Sequence, residues 1–222
     1  MLKVDRDGDV VVLAMQDGEN RFNPESLAAL NGALDEIEGD AEAGAAVLTG
    51  EGKFFSNGLD LEWMGSAPEG GAAEVVEGTM RLLARILLFP KPLVAAINGH
   101  SFAGGAMLAL ACDERVMRTD RGYFCLPEAD INLPFTPGMS ALIRLRLNPQ
   151  TAHEAMLTGR RYSAEQAHAA GIVRAAVPEE EVVTTATELA RPYGGKNGDV
   201  ITAIKQQSYG PVAEQLRLPL SG

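Results

Sequence analysis

The sequence predicts an α/β protein built on a parallel sheet, and three observations carry that expectation. Residues 10–15 form a short apolar run after an Asp-Gly turn. Leu27, Leu30, Leu34 and Ile37 recur at helical spacing, and residues 45–49 form a second apolar run. This strand–helix–strand order is the unit expected of a parallel sheet. Residues 93–97 then repeat the buried-strand pattern and feed a glycine-rich turn and an Ala- and Leu-rich helix at 106–111. The composition agrees: 222 residues, 46% hydrophobic and 22% charged, suit one globular domain and exclude a disordered chain, a collagen-like repeat and a coiled coil.

The elements follow in order. Asn23-Pro24-Glu25-Ser26 opens the first helix, with Asn23 as cap and Pro24 in the first turn. The second apolar run ends at Gly50-Glu51-Gly52, and a glycine-containing loop follows at 54–61. Residues 65–78, rich in small and acidic side chains, read as a mobile connection, and 80–88 as a helix stopped by Pro90-Lys91-Pro92. Residues 98–105 read as a turn, 115–118 and 123–126 as short strands, and 140–147 and 151–158 as helices. Ser163 and Gln166 mark the start of another helix that Gly171 ends. Residues 179–208 read as two helices joined by a glycine-rich loop, with Pro192, Pro211 and Pro219 interrupting the tail. The chain divides into a core at 1–180 and a short C-terminal helical segment at 181–222.

The formal net charge of -11 argues against nucleic acid or an acidic membrane surface as a partner. Cys112 and Cys125 are too few for a disulfide scaffold and lack zinc-type spacing, so no metal site is expected. The N-terminal residues are charged, without an apolar signal core, and no stretch is apolar enough for a membrane span. A reduced, cytoplasmic protein is the expectation.

Three segments can carry chemistry. In Ser56-Asn57-Gly58-Leu59-Asp60, the glycine lets backbone N–H groups turn outward toward a negative oxygen, or else the segment is a plain turn with Asp60 capping a helix. Asn98-Gly99-His100-Ser101-Phe102-Ala103-Gly104-Gly105-Ala106 follows a strand and opens a helix, whose unpaired N–H groups and positive dipole end suit an oxyanion; close helix–sheet packing through the glycines is the alternative. Its glycine spacing is not a dinucleotide fingerprint. Glu128 lies among Phe124, Leu126, Ala129 and Ile131, a setting that raises a carboxyl pKa and suits a general base or acid; an exposed loop carboxylate is the alternative. His100 reads as a hydrogen-bonded turn residue, and His153 and His168 as surface groups. Trp63 and Met64 read as pocket cover or simple packing.

Taken together and in order, these segments resemble the crotonase (enoyl-CoA hydratase/isomerase) superfamily. The resemblance runs over residues 10–177. It rests on Lys53-Phe54-Phe55-Ser56-Asn57-Gly58-Leu59-Asp60-Leu61, on Lys91-Pro92-Leu93-Val94-Ala95-Ala96-Ile97-Asn98-Gly99, and on Leu157-Thr158-Gly159 with Ala167, Gly171, Ile172 and Val173. It is closest to plant-type Δ3,Δ2-enoyl-CoA isomerases, which share the Phe-Phe-Ser-Asn-Gly stretch and a Glu-x-Asp-Ile sequence like that at 128–131.

The resemblance implies a spiral of ββα units. It implies an oxyanion hole for an acyl-CoA thioester carbonyl, formed by the backbone N–H groups of Leu59 and Gly104, and a catalytic glutamate at Glu128. Ser56, Asn57, Gly58 and Asp60 would line the CoA path, with Arg21 and Lys205 as candidates for the CoA phosphates. Family hydratases carry a second catalytic glutamate, and its position holds Met107 here. Hydration needs two carboxylates to handle water, whereas a double-bond shift needs one base, so the pattern implies an isomerase; weak hydration, thioester hydrolysis and a non-catalytic acyl-CoA binder are the alternatives. CoA enters as part of the substrate, no separate cofactor is expected, and a homotrimer or dimer of trimers is implied. Asp130 reads as a structural contact rather than a second acid.

Overall fold

The computed structural model describes residues 2–220. Strand β1 (Leu2–Asp7) turns through Gly8, at φ +62°, and pairs antiparallel with β2 (Val10–Met15). From β2 onward the main sheet is parallel: β3 (Ala45–Gly50), β5 (Leu93–Ile97), β7 (Glu114–Arg118) and β9 (Ala175–Val177) follow in that order across it. A second parallel sheet has three short strands in the order β4 (Phe54–Ser56), β6 (His100–Phe102), β8 (Phe124–Cys125). The chain thus alternates between sheets and then enters helices: β3–β4 leads to α2 (Leu61–Ser66) and α3 (Gly71–Leu87), β5–β6 to α4 (Gly104–Ala111), and β7–β8 to α5 (Pro137–Arg146). These three turns are the expected spiral of ββα units.

Local chemistry explains the elements. Asn23 caps α1 (Pro24–Gly39): its side chain accepts from Ser26 N–H, and the Ser26 hydroxyl accepts from Asn23 N–H, which closes a reciprocal cap. Strand β5 is buried at every residue, which is why its sequence is a continuous apolar run rather than an alternation. Helix α4 is buried all round, so it lies inside the molecule with no polar face. Helices α6 (Pro149–Thr158) and α7 (Ala164–Ala169) follow with caps at Asn148 and Ser163.

Three expectations are corrected. Residues 65–78 are not a mobile connection: α2 extends to Ser66 and α3 starts at Gly71, burying Gly71, Val75 and Thr79. The small and acidic residues hid a one-sided apolar stripe. Residues 98–105 contain β6, and 2–7 and 175–177 are strands the sequence reading passed over. The tail is less broken than its prolines imply. Pro192 lies in a short 3-10 turn after α8 (Val182–Ala190), but α9 (Gly198–Arg217) continues through Pro211. Pro211 frees the carbonyl of residue 207, which lies on the exposed side where water can satisfy it. Helix α9 is anchored by Lys205, Gly210, Ala213 and Leu216 and approaches α5 so closely that a Cβ on Gly138 would stand 2.7 Å from Leu216 Cα. No helix among the described residues is long and apolar enough to cross a membrane.

Candidate active site

A cavity of about 490 Å³ opens where the C-terminal ends of β4, β6 and β8 meet α3 and α5. Most of its wall is apolar. Leu59, Leu61 and Met64 come from the first ββα unit, Met80 from α3, Phe102 and Met107 from the second unit, and Met139 from α5. Among the described lining residues, Glu128 is the one carboxyl, and the cation Arg21 is the other charged group.

Glu128 follows β8 in a turn closed by the Asp130 and Ile131 N–H groups on Pro127 O and by Leu133 N–H on Glu128 O. Its side chain is buried at 3% exposure, and Oε2 has no hydrogen-bond partner. Burial therefore pushes the carboxyl up from 4.5 to about 7, opposed weakly by a hydrogen bond from its own backbone N–H. A carboxyl poised near neutrality with a free oxygen is equipped to take and return a proton.

The two glycine segments meet beside it. Gly58 has φ +78°, and a Cβ there would stand 2.8 Å from Gly104 N, so only glycine lets the two backbones touch. A Cβ on Gly105 would stand 2.2 Å from Ser56 O, so the start of α4 lies directly on β4. The Gly58 carbonyl accepts from Phe22 N–H at 2.7 Å. Because the peptide is planar and trans, the N–H of Leu59 must point the opposite way, out of that contact. Gly104 is the first residue of α4, where N–H groups have no intrahelical acceptor. Among the described residues, neither Leu59 N–H nor Gly104 N–H finds a hydrogen-bond acceptor. Ala103, just before Gly104, is held at φ 49°, ψ -122°, a strained backbone for a residue with a Cβ. The Ala103 N–H donates to Cys125 O, which ties this strain to β8 and the Glu128 turn.

Several expected site residues are placed elsewhere. Asn57 and Met107 line the cavity as expected, Met107 at 1% exposure. Ser56 is fully buried behind the wall: its hydroxyl donates to Asn20 O at 2.7 Å and accepts from Gly58 N–H. Gly58 acts through its backbone contact with Gly104. Asp60 caps α2, accepting from Trp63 N–H, and also meets Asn23 and Arg21 beside a smaller polar recess. Lys205 is no phosphate ligand. It is buried, 2.7 Å from Asp113, and donates to Phe89 O, so its charge is spent inside the fold. Arg21 does line the cavity mouth, paired with Glu19.

His100 is not a hydrogen-bonded turn residue either: it lies in β6 among Phe54, Phe102 and Tyr123, with Nδ1 buried and unpartnered. Met64 lines the cavity, while Trp63 packs on the core; His153, His168 and Asp130 are exposed. The reading of the sequence placed Met80 in a helix but missed the first two turns of α3, which bring Val76 and Thr79 to the same wall.

Fold and site together place one buried carboxyl, raised toward neutrality, beside free backbone donors in an apolar cavity. The chain belongs to the enoyl-CoA hydratase/isomerase family, whose model matches residues 5–217. It is 35% identical over 221 residues to a peroxisomal enoyl-CoA delta isomerase of Arabidopsis thaliana, covering 94% of this chain and 92% of that one. It is also 35% identical over 230 residues to a carnitinyl-CoA dehydratase of Salmonella paratyphi A, covering 100% and 86%. Among solved structures, an apo enoyl-CoA isomerase of Mycobacterium tuberculosis superposes with a TM-score of 0.89 at 31% identity, over 97% of this chain and 94% of that one. An enoyl-CoA isomerase/hydratase-type activity follows from this membership.

Proposed function

We propose that the protein is a Δ3,Δ2-enoyl-CoA isomerase that works with one acid–base group, Glu128. The observation that carries this reading is the single carboxyl, raised to about 7, in a cavity where Met107 rather than a second carboxyl lies in the wall. A 3-enoyl thioester places its carbonyl oxygen against the N–H groups of Leu59 and Gly104. Glu128 removes a proton from C2, and the electron pair of that bond enters the thioester, giving a dienolate whose negative oxygen the two donors stabilise. Glu128 then returns the proton to C4 as the double bond settles between C2 and C3. No water is consumed, and no redox group or metal is called for; CoA travels as part of the substrate. Hydration, by contrast, needs a held and activated water, and a thioether is a weak acceptor that fills space apolarly. The relatives named for isomerase activity support the same choice. The reading extends to a homotrimer or dimer of trimers, which sedimentation tests.

The decisive assay offers the protein 3-enoyl-CoA and follows the absorbance of the conjugated 2-enoyl thioester, with 2-enoyl-CoA offered in parallel. Isomerisation with little hydration is expected. Hydration at a comparable rate overturns the single-glutamate reading.

A further inference from the structure

The oxyanion donor Leu59 sits on a loop, and loops hold catalytic geometry only when something fixes them. Here the fixing element is the segment just before α1. It runs alongside β4 and the loop after it: Asn57 N–H donates to Glu19 O, Phe22 N–H to Gly58 O and Asp60 N–H to Phe22 O. At its centre is Asn20, an uncharged polar residue with no place in the cavity wall. It is 4% exposed and held at φ 50°, a left-handed backbone that asparagine tolerates better than most residues. Its amide donates to the carbonyls of both Phe54 and Phe55 at 3.1 Å, and its side-chain oxygen accepts from Asp17 N–H at 2.9 Å. Its backbone carbonyl accepts the Ser56 hydroxyl, and that hydroxyl accepts Gly58 N–H at 3.2 Å. Gly50 makes room for this arrangement: a Cβ there would stand 2.9 Å from the Asn20 amide nitrogen.

We infer that Asn20, acting through Ser56, is a positioning residue that fixes the Asn57–Gly58 peptide, and with it the backbone angle at Gly58 from which the Leu59 N–H is aimed at the developing negative oxygen. The Gly58–Leu59 segment is held on two sides. Phe22 N–H pins the Gly58 carbonyl, and Ser56 Oγ pins the Gly58 N–H. Removing the Asn20 amide leaves Phe55 O without this donor and Phe54 O with only the longer Asn98 contact, and so loosens the Asn20 backbone on which Ser56 is seated; removing the Ser56 hydroxyl alone leaves Gly58 N–H buried without a partner. In either case the Asn57–Gly58 peptide gains freedom to rotate, and the Gly58–Leu59 peptide that follows keeps only the Phe22 restraint. The Leu59 donor then spends less time on the substrate oxygen, while the apolar cavity that binds the acyl chain is untouched. The inference rests on the proposed oxyanion hole, and its test separates the two.

Two variants are compared with wild type: Asn20→Gly, which keeps the left-handed backbone and loses the amide, and the milder Ser56→Ala. Each is assayed for kcat and KM with 3-enoyl-CoA, and for binding of two non-reacting thioesters. Butanoyl-CoA carries a neutral carbonyl. Acetoacetyl-CoA can bind as its enolate, whose absorbance reports stabilisation of negative charge at the oxygen. Complete loss of one oxyanion donor costs roughly 10²–10³ in kcat, so a donor misaimed rather than removed is expected to lose less, about 10-fold or more in both variants. KM and butanoyl-CoA affinity stay within about twofold, and the bound acetoacetyl-CoA enolate signal falls in step with kcat. Unchanged kcat and enolate signal in a folded Ser56→Ala overturn the inference. So does a parallel loss of butanoyl-CoA binding and kcat with the enolate fraction preserved, since that marks a merely structural role. If wild type itself neither isomerises nor raises the enolate signal, the oxyanion-hole reading has failed, and the inference with it.

Discussion

Replacing Glu128 with glutamine should remove activity and, at alkaline pH, add stability. The carboxyl is 3% exposed, with one oxygen lacking any partner, and burial raises it from 4.5 to about 7. A carboxyl raised in the folded state favours folding fully only while it is protonated. That contribution is present below about 4.5 and is lost as the pH climbs through 7. At 1.36 kcal/mol per pK unit, the loss between pH 4.5 and 8 is on the order of 3 kcal/mol. Glutamine has nearly the same shape and does not titrate. Any cost of its own buried amide is the same at every pH, so it cancels from the pH dependence. Urea unfolding of wild type and Glu128→Gln at pH 5 and pH 8 therefore should show the variant gaining about 2–3 kcal/mol on wild type between the two pH values. In the isomerase assay the variant should lose at least about 10²-fold in kcat, as expected for a missing general base. For wild type, kcat/KM should rise with pH to a plateau above about 7, because the base must be ionised to take the C2 proton. A stability difference between the two proteins that does not change with pH would refute the reasoning. It would mean that Glu128 is ionised in the folded protein at its ordinary value, with water or a partner at its free oxygen.

Further outcomes follow from the same geometry. Gly58→Ala forces a Cβ to within 2.8 Å of Gly104 N at φ +78°, so the two donors must separate; kcat should fall by about 10²-fold, and wild-type turnover would place the oxyanion donors elsewhere. Lys205→Met leaves the half-buried Asp113 without its cation, still accepting from Leu93 N–H, and should cost about 1.5–3 kcal/mol in urea unfolding, with KM for the CoA ester unchanged. A raised KM at unaltered stability would restore Lys205 as a phosphate ligand. Met107→Glu puts a second carboxyl into the same cavity; like charges disfavour ionisation, so the midpoint of the isomerase pH profile should move above 7 and hydration of 2-enoyl-CoA should become detectable. An unmoved midpoint would mean the new carboxyl faces away from Glu128.

The sequence exposed what local chemistry writes into short windows. Asn23 and Ser26 announce a cap, residues 93–97 a buried strand, and the glycines at 58, 104 and 105 a place where backbones approach; each is found where its signal lies. Glu128 is buried, as the apolar residues around it in the chain lead one to expect, although Ile131 is itself half exposed and most of the wall it shares comes from remote residues such as Phe102, Met107 and Met139. The misses have one physical cause, which is that the deciding partner is remote in sequence. Lys205 looks like a surface cation until Asp113, 92 residues away, is found beside it. Ser56 looks like a residue of the CoA path until the carbonyl of Asn20, 36 residues earlier, is found to accept its hydroxyl. Helix α3 was obscured because Gly71, Val75 and Thr79 have poor or modest helix propensity and are held helical by packing, which no window of residues 65–78 contains.

The unpartnered oxygen of Glu128 bears on why isomerisation and hydration part company in one fold. A buried carboxyl oxygen without a donor is expensive, and a site selected only for stability would supply one or replace the residue. A fixed donor, however, would lower the proton affinity of that oxygen and hold it in one place. The proposed reaction needs the opposite on both counts, because the same oxygen must accept a proton at C2 and deliver it at C4. A resident water would also serve as a donor, and it would be a reactant for hydration as well. On the proposed reading the apolar wall, Met107 included, answers both: burial keeps the carboxyl basic enough to work near neutrality, and a thioether offers no second carboxylate to hold and activate a water. In the proposed reaction the orphaned oxygen, the raised pKa and the methionine in place of a second carboxyl serve one end, a single base that carries a proton from one carbon to another.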